Sequence, residues 1–360
     1  MINAMPHTLR QLAGSTLVAG FPALAAPPEI LADLARSELA GVILFKRNIG
    51  EPEEIMRLNT SIIEAAESPP IIAVDQEGGR VARLGPPVIT LPPMRALGRL
   101  RDPKLTRAVG RVLGSQLRAL GFSVDFAPVL DVDTNPANPV IGDRAFSHLA
   151  EIVKDQALAF SDGLLESGIA SCGKHFPGHG DTDLDSHLAL PVLRHSRARL
   201  DAVELLPFRA ARRRIPSIMT AHVVFESLDP GVPATMSRRV ITGLLREELG
   251  YDGLIVSDDL EMRAVSDLYG IEESAVRAIR AGCDLLLICS RYDDLILAKE
   301  RLIREGEADS AFRERLEEAA RRTLAFRKRF APSIDEEAFL CSVHGEEAAA
   351  LEARLLEAKV

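Results

Sequence analysis

Short apolar runs alternate with longer amphipathic stretches along this chain, and the alternation repeats eight times. The runs lie at residues 15–21, 41–46, 70–75, 123–127, 169–175, 217–222, 253–258 and 284–289. Each is strand-length and mostly apolar, as expected of strands buried on both faces. Between them, residues 51–66, 105–120, 149–166, 200–213, 237–249 and 271–281 carry apolar side chains at helical spacing. Regular succession of strand and helix implies a parallel sheet, because each crossover helix covers a face. Eight such units within about 300 residues predict an α/β fold of the (β/α)8 TIM-barrel type in a single domain, rather than an open doubly wound sheet.

Two segments need separate treatment. Residues 12–26 form a mostly apolar run behind Arg10 and Gln11 and end in Ala-Leu-Ala, which has the look of a secretory signal. The same run contains the first strand, and Pro27-Pro28 opens the next helical pattern. A strand is the preferred reading, since cleavage there would remove one stave of the barrel. At the other end, residues 293–360 are rich in Arg, Glu, Ala and Leu at helical spacing. They divide into barrel-closing helices and a solvated tail, so the expected organisation is a catalytic barrel over residues 1–335 with 336–360 packed on or beside it. No other stretch approaches the ~20 apolar residues of a membrane span.

Composition narrows the function classes. With 47% hydrophobic and 26% charged residues the chain is an ordinary globular one. Its net charge of -9 argues against a phosphate-tracking nucleic-acid binder. Cys172, Cys283, Cys289 and Cys341 show no CxxC spacing and read as thiols, which fits a reducing compartment.

Polar residues gather at the ends of the predicted strands: Lys46, Arg47 and Asn48; Asp75, Gln76 and Glu77; Asp131 and Asp133; Lys174 and His175; His222; Asp258 and Asp259. The C-terminal ends of strands are where barrel enzymes keep their active sites, although such side chains also cap helices. The densest segment is Gly173-Lys-His-Phe-Pro-Gly-His-Gly-Asp-Thr-Asp-Leu-Asp-Ser-His187, with three of the eight histidines. Its Gly and Pro content predicts a shaped loop after a strand. The histidines and aspartates are metal-ligand types, but their spacing matches no zinc signature and no metal is expected. Asp185 and His187, two apart in an extended segment, project to one side, where a carboxylate can orient an imidazole. With a reference pKa of about 6.5, such an imidazole can both donate and accept a proton near neutrality. Strand alternation sends Asp258 and Asp259 to opposite sides, so only one is expected to face the barrel axis. A carboxylate at the barrel mouth can attack an anomeric carbon and form a covalent glycosyl intermediate.

The motifs at residues 174–187 and Ser257-Asp-Asp-Leu260 resemble the bacterial β-N-acetylhexosaminidases of glycoside hydrolase family three. The resemblance extends over most of the chain, through residues 41–45, Asp75-Gln-Glu-Gly-Gly-Arg80, Phe126-Ala-Pro-Val-Leu-Asp-Val-Asp133 and Ile141-Gly-Asp-Arg-Ala-Phe146. It implies a retaining enzyme, without cofactor, that removes terminal β-linked N-acetylglucosamine, with Asp258 as nucleophile, His187 as acid/base and Asp185 as its orienting partner. Asp75, Arg83, Arg144, Lys174 and His175 would contact the terminal sugar, and Asp259, Glu77, His179 and His222 would support them. Adjacent Lys174 and His175 point opposite ways in a regular strand, so both reaching sugar requires a twist or bulge there. The implied partner is a small carbohydrate, a muropeptide or chitooligosaccharide ending in N-acetylglucosamine, handled by a cytoplasmic monomer during cell-wall recycling. Neither nucleic acid nor membrane enters this reading. The chain departs from the resemblance at Glu261, where a smaller residue is common, and it lacks the second domain of larger members. A β-glucosidase or β-hexoside phosphorylase on the same barrel, or a sugar-binding barrel without catalysis, are the competing readings.

Overall fold

The computed structural model describes residues 8–186 and 189–357. Eight parallel strands close into a barrel: β1 (Leu17–Ala19), β2 (Gly41–Leu44), β3 (Ile71–Val74), β4 (Val124–Asp125), β5 (Ala170–Phe176), β7 (Ser217–Thr220), β9 (Leu254–Asp259) and β10 (Leu285–Ile288). Every one of the eight apolar runs supplies one of these staves. Closure is made by β1 pairing with both β2 and β10. Two further strands, β6 (Val192–Leu193) and β8 (Val224–Phe225), form a small parallel pair outside the barrel.

Alternation along each strand divides the interior into two cores. Val18, Ile43, Ala73, Val124, Cys172, Met219, Val256 and Leu287 belong to the cluster inside the barrel. Their neighbours Leu17, Val42, Ile72, Ile218, Ile255 and Leu286 belong to the larger cluster between barrel and helices. Both faces are therefore dry, which is why the strands appear in sequence as unbroken apolar runs. Phe326, from helix Ser310–Arg329, and Phe330, just past its end, join the inner cluster, with ring centroids 5.0 Å apart.

Helices Pro52–Ala65, Pro103–Ala119 and Ala150–Glu166 fall where apolar spacing predicts them. The stretch expected as one helix over residues 200–213 is two, Arg197–Ala202 and Leu205–Ala211. The chain breaks at Val203 (φ -124°, ψ -72°), and the next residue, Glu204, is buried and ion-paired with Arg199 at 3.0 Å. The apolar run at residues 12–26 is shared between helix Leu9–Gly14, β1 and the loop after it. Two C-terminal helices, Glu336–His344 and Glu346–Glu357, lie against Pro103–Ala119. Phe339, Leu351 and Leu355 are buried there, while Arg354 and Asp102 pair at 3.2 Å on the surface. Apolar burial holds the helices in place, because exposed pairs of that kind contribute only ~0–1 kcal/mol. All three buried cysteines are free thiols, as is exposed Cys341.

Candidate active site

A cavity of about 270 Å³ opens at the C-terminal ends of the barrel strands. Asp75 reaches it from the end of β3, Lys174 and His175 from β5, Asp258 and Asp259 from β9, and Arg144 from the long connection after β4. Phe45, Phe126, Val140, Met219 and Met262 supply apolar wall. The structure thus brings together all five residues expected to contact sugar and the expected nucleophile.

One wall is an array of buried ion pairs. Lys174 Nζ lies 2.9 Å from Asp75 Oδ1 and 2.6 Å from Glu77 Oε1. Arg144 grips Glu77 with two parallel bonds, both 2.8 Å, and Arg83 Nη2 reaches Asp75 Oδ2 at 3.1 Å. Burial pushes the Glu77 carboxyl up, but Arg144 and Lys174 outweigh it and hold the group far below the ordinary carboxylate range. Asp75 is likewise held low, against its burial, by Lys174 and Arg83. Burial disfavours charge on Lys174 too, yet Asp75 and Glu77 raise it above an ordinary lysine. The array is therefore fixed in its charged form, a preorganised set of donors and acceptors for hydroxyl and amide groups. Gln76 secures the backbone around it, its Oε1 accepting from Arg83 and Leu84 N–H at 2.8 and 3.0 Å.

Lys174 and His175 both line this cavity despite being adjacent in β5. The alternation is broken at this point: pairing with β7 shifts register between Gly173 and Phe176, and the Lys174–His175 peptide bond is cis. Asp131, 44 residues away in sequence, fixes the imidazole by accepting from His175 Nδ1 at 2.7 Å. Its other oxygen accepts the backbone N–H of His175 and of His179, at 3.1 and 2.7 Å. The loop that follows lies tight against its neighbours: a Cβ on Gly180 would sit 1.9 Å from the Val132 carbonyl oxygen.

Asp258 and Asp259 both border the cavity, but their carboxylates part company, as strand alternation leads one to expect. β9 and β10 lose regular register between Leu285 and Leu287, where Leu287 pairs with Asp259. The backbone N–H of Asp259 donates to Asp258 Oδ1 at 2.8 Å. The Asp259 carboxylate turns into the protein and accepts from Glu261 N–H at 3.1 Å and Cys289 N–H at 3.3 Å. Burial, with Glu261 and Asp258 nearby, pushes its pKa up to about 7.

The raised Asp259 pKa makes stability depend on pH. The unfolded value is about 3.9, so the folded state retains a proton that the unfolded chain has lost. Stability from this group is full below about pH 4 and lost as pH rises to about 7. Asn keeps the acceptor without the charge. Asp259→Asn is therefore expected to gain melting temperature relative to wild type between about pH 4 and 7, with the difference level above pH 8. A difference independent of pH across that window, read by thermal melts, would contradict the assignment.

Asp185 is half-buried in the loop, where its carbonyl accepts from Ala189 N–H at 3.0 Å. Ser186, beside it, lines the cavity. His187 lies outside the described residues. Among the described residues, no three His, Cys, Asp or Glu side chains form a metal-binding group.

The family model for the glycosyl hydrolase family 3 N terminal domain matches residues 10–325. The chain belongs to glycosyl hydrolase family 3. It is a glycosidase. It is 43% identical over 274 residues, covering 74% of this chain and 76% of the relative, to a β-hexosaminidase from Bordetella parapertussis. A family 3 β-N-acetylglucosaminidase from Paenibacillus superposes with TM-score 0.92 at 40% identity, over 98% of this chain and 69% of its own. NagZ from Neisseria gonorrhoeae, solved in complex with N-trifluoroacetyl-D-glucosamine, gives TM-score 0.81 at 34% identity, over 96% of this chain and 98% of its own.

Two features of this family 3 glycosidase escape sequence reasoning. Glu77, read as a supporting neighbour, sits on the cavity wall as the joint partner of Lys174 and Arg144. Asp131, visible only as a polar strand end, is what orients His175. The unusual Glu261 also has a place: its carboxylate accepts from Ser290 N–H at 2.5 Å and Arg291 N–H at 3.1 Å, tying down the loop after β10. Among the described residues, no helix is long and apolar enough to cross a membrane.

Proposed function

We propose that this glycosidase is a retaining exo-β-N-acetylglucosaminidase acting on muropeptide fragments in cell-wall recycling. The observation that carries the reading is the cavity itself. At about 270 Å³ it is small for a ligand pocket, suited to one sugar ring, and its wall is an ion-paired donor and acceptor array with Asp258 on the opposite strand end. A site of that size favours terminal residues over the interior of a glycan. The β-hexosaminidase and β-N-acetylglucosaminidase relatives favour an N-acetylhexosamine in it.

In this reading Asp75, Arg83, Arg144, Lys174 and His175 hold the terminal sugar so that its anomeric carbon faces Asp258. Asp258 attacks, the bond to the leaving oxygen breaks, and His187 protonates that oxygen. A covalent glycosyl-aspartate results, and His187, now a base, takes a proton from the water that releases the sugar with its β configuration retained. Asp185 keeps the imidazole in the tautomer and orientation this requires. Residues 1–335 are the catalytic unit and 336–360 its appendage. A cytoplasmic monomer fits the free buried thiols and the small cavity.

Release of nitrophenol from β-N-acetylglucosaminide and β-glucoside, with and without phosphate and chelator, tests the substrate class. Cleavage of the N-acetylglucosaminide alone, indifferent to both additions, is expected. Preference for glucoside supports the glucosidase reading, and phosphate dependence the phosphorylase. The acid role has its own test in kcat/KM, which reports the step that expels the leaving group. His187→Ala is expected to lose roughly 10²–10⁴-fold on substrates with poor leaving groups, and far less on dinitrophenyl glycosides. Equal losses on both would remove His187 from the acid role.

A further inference from the structure

Ser186 stands between the two residues of the Asp185 and His187 pair, and its side chain is buried at 2% exposure. It is tied on two sides. Its carbonyl accepts from Ala264 N–H at 3.2 Å, in the first turn of helix Arg263–Ala281, five residues beyond Asp259. Its hydroxyl lies 3.0 Å from His179 Nε2.

The direction of that second bond follows from the partners of His179. Thr182 Oγ1 donates its hydrogen to the His179 carbonyl at 3.1 Å. It therefore accepts from His179 Nδ1–H at 2.8 Å and from Asn138 Nδ2 at 3.2 Å. With the proton on Nδ1, Nε2 presents a lone pair, and the Ser186 hydroxyl donates to it. Burial, with His175 nearby, lowers His179 to a pKa of about 4 and keeps the ring neutral at working pH. The root of this arrangement is the carboxylate that orients His175, since Asp131 Oδ1 also holds the His179 backbone N–H.

We propose that Ser186 is a positioning residue for catalysis: its hydrogen bond to His179 and its carbonyl bond to Ala264 hold the chain at Ser186, directly before His187, against the element that follows the nucleophile strand and against the sugar-contacting His175. Asp131 then serves two ends of the site, orienting a sugar contact directly and holding Ser186, beside Asp185, through His179. This role rests on the assignment of His187 as acid/base. Ser186 touches no reacting atom itself, so it acts only through its neighbours.

Ser186→Ala removes the hydroxyl without adding bulk. It is expected to reduce kcat/KM by about tenfold on a poor leaving group, the scale of one lost hydrogen bond, and to leave a dinitrophenyl glycoside within about twofold. Ser186→Thr, which keeps the hydroxyl, is expected to recover most of the loss. KM is expected to change little in Ser186→Ala, because the sugar contacts stay in place. Wild-type kinetics in Ser186→Ala, or equal losses on both substrates with a lowered melting temperature, would overturn the proposal. His187→Ala measured alongside separates the two layers. If that variant loses equally on both substrates, the acid/base assignment has failed and Ser186 falls with it; if only Ser186→Ala lacks leaving-group dependence, the assignment stands and the positioning role is wrong.

Discussion

Asp258→Asn is expected to lose at least roughly 10⁴-fold in kcat/KM on every β-N-acetylglucosaminide, activated or not, on the scale seen when a nucleophile is removed from an enzyme centre. The carboxylate of Asp258 is held in place by the Asp259 N–H at 2.8 Å. The amide oxygen of Asn can accept that bond, so the fold and the sugar contacts persist while the anionic nucleophile is gone. A melting temperature near wild type with lost turnover is the expected pair of results. In Asp258→Gly, where space opens at the site, azide is expected to restore reaction as an external nucleophile and to yield the α-glycosyl azide. Retained activity in Asp258→Asn, after exclusion of contaminating wild-type enzyme by a second preparation, would place the nucleophile elsewhere.

The largest expected effect on stability belongs to Glu77. Its carboxylate is 1% exposed and is shared by Arg144, through two bonds, and Lys174. Replacing it with Ala removes the carboxylate that Arg144 grips with two bonds and leaves Lys174, among the described residues, with Asp75, while both cations stay largely buried. Breaking a buried pair from one side costs about 3–5 kcal/mol, because the remaining charge stays desolvated. Glu77→Ala is expected to fall by that amount in denaturant unfolding, and Glu77→Gln by less, since it still accepts one hydrogen bond. A loss below about 1 kcal/mol, the range of exposed pairs, would mean that the array is solvated. Its charges would then not be the fixed template described above.

The eight staves are legible because strands dry on both faces are mostly apolar along their length, a pattern that needs no tertiary information. Even β4, only Val124–Asp125, announces itself through flanking Phe122 and Phe126. The apolar spacing continues through Val203 and Glu204 and so predicts one helix over residues 200–213, but Val203 leaves helical geometry and Glu204 pairs with Arg199, five positions back. At the site, residue types at strand ends were visible, but their partners were not. Nothing local links Asp131 to His175 or Glu77 to Arg144, 67 positions apart. The alternation rule also fails at one place where function concentrates. At Lys174 and His175 lost register lets neighbouring side chains share one cavity, whereas the Asp258 and Asp259 carboxylates still diverge. Strand mouths are where barrel pairing ends, so rules drawn from regular pleats hold least well there.

The central claim is that sugar passes through a covalent bond to Asp258. It is tested most directly by intact-mass measurement of enzyme quenched during reaction with a fluorinated N-acetylglucosaminyl fluoride, a substrate that forms the intermediate faster than it releases it. The account predicts one added glycosyl mass, mapped by peptide digestion to Asp258 and absent from Asp258→Asn. Continued turnover with no adduct, or an adduct on any other residue, would contradict it.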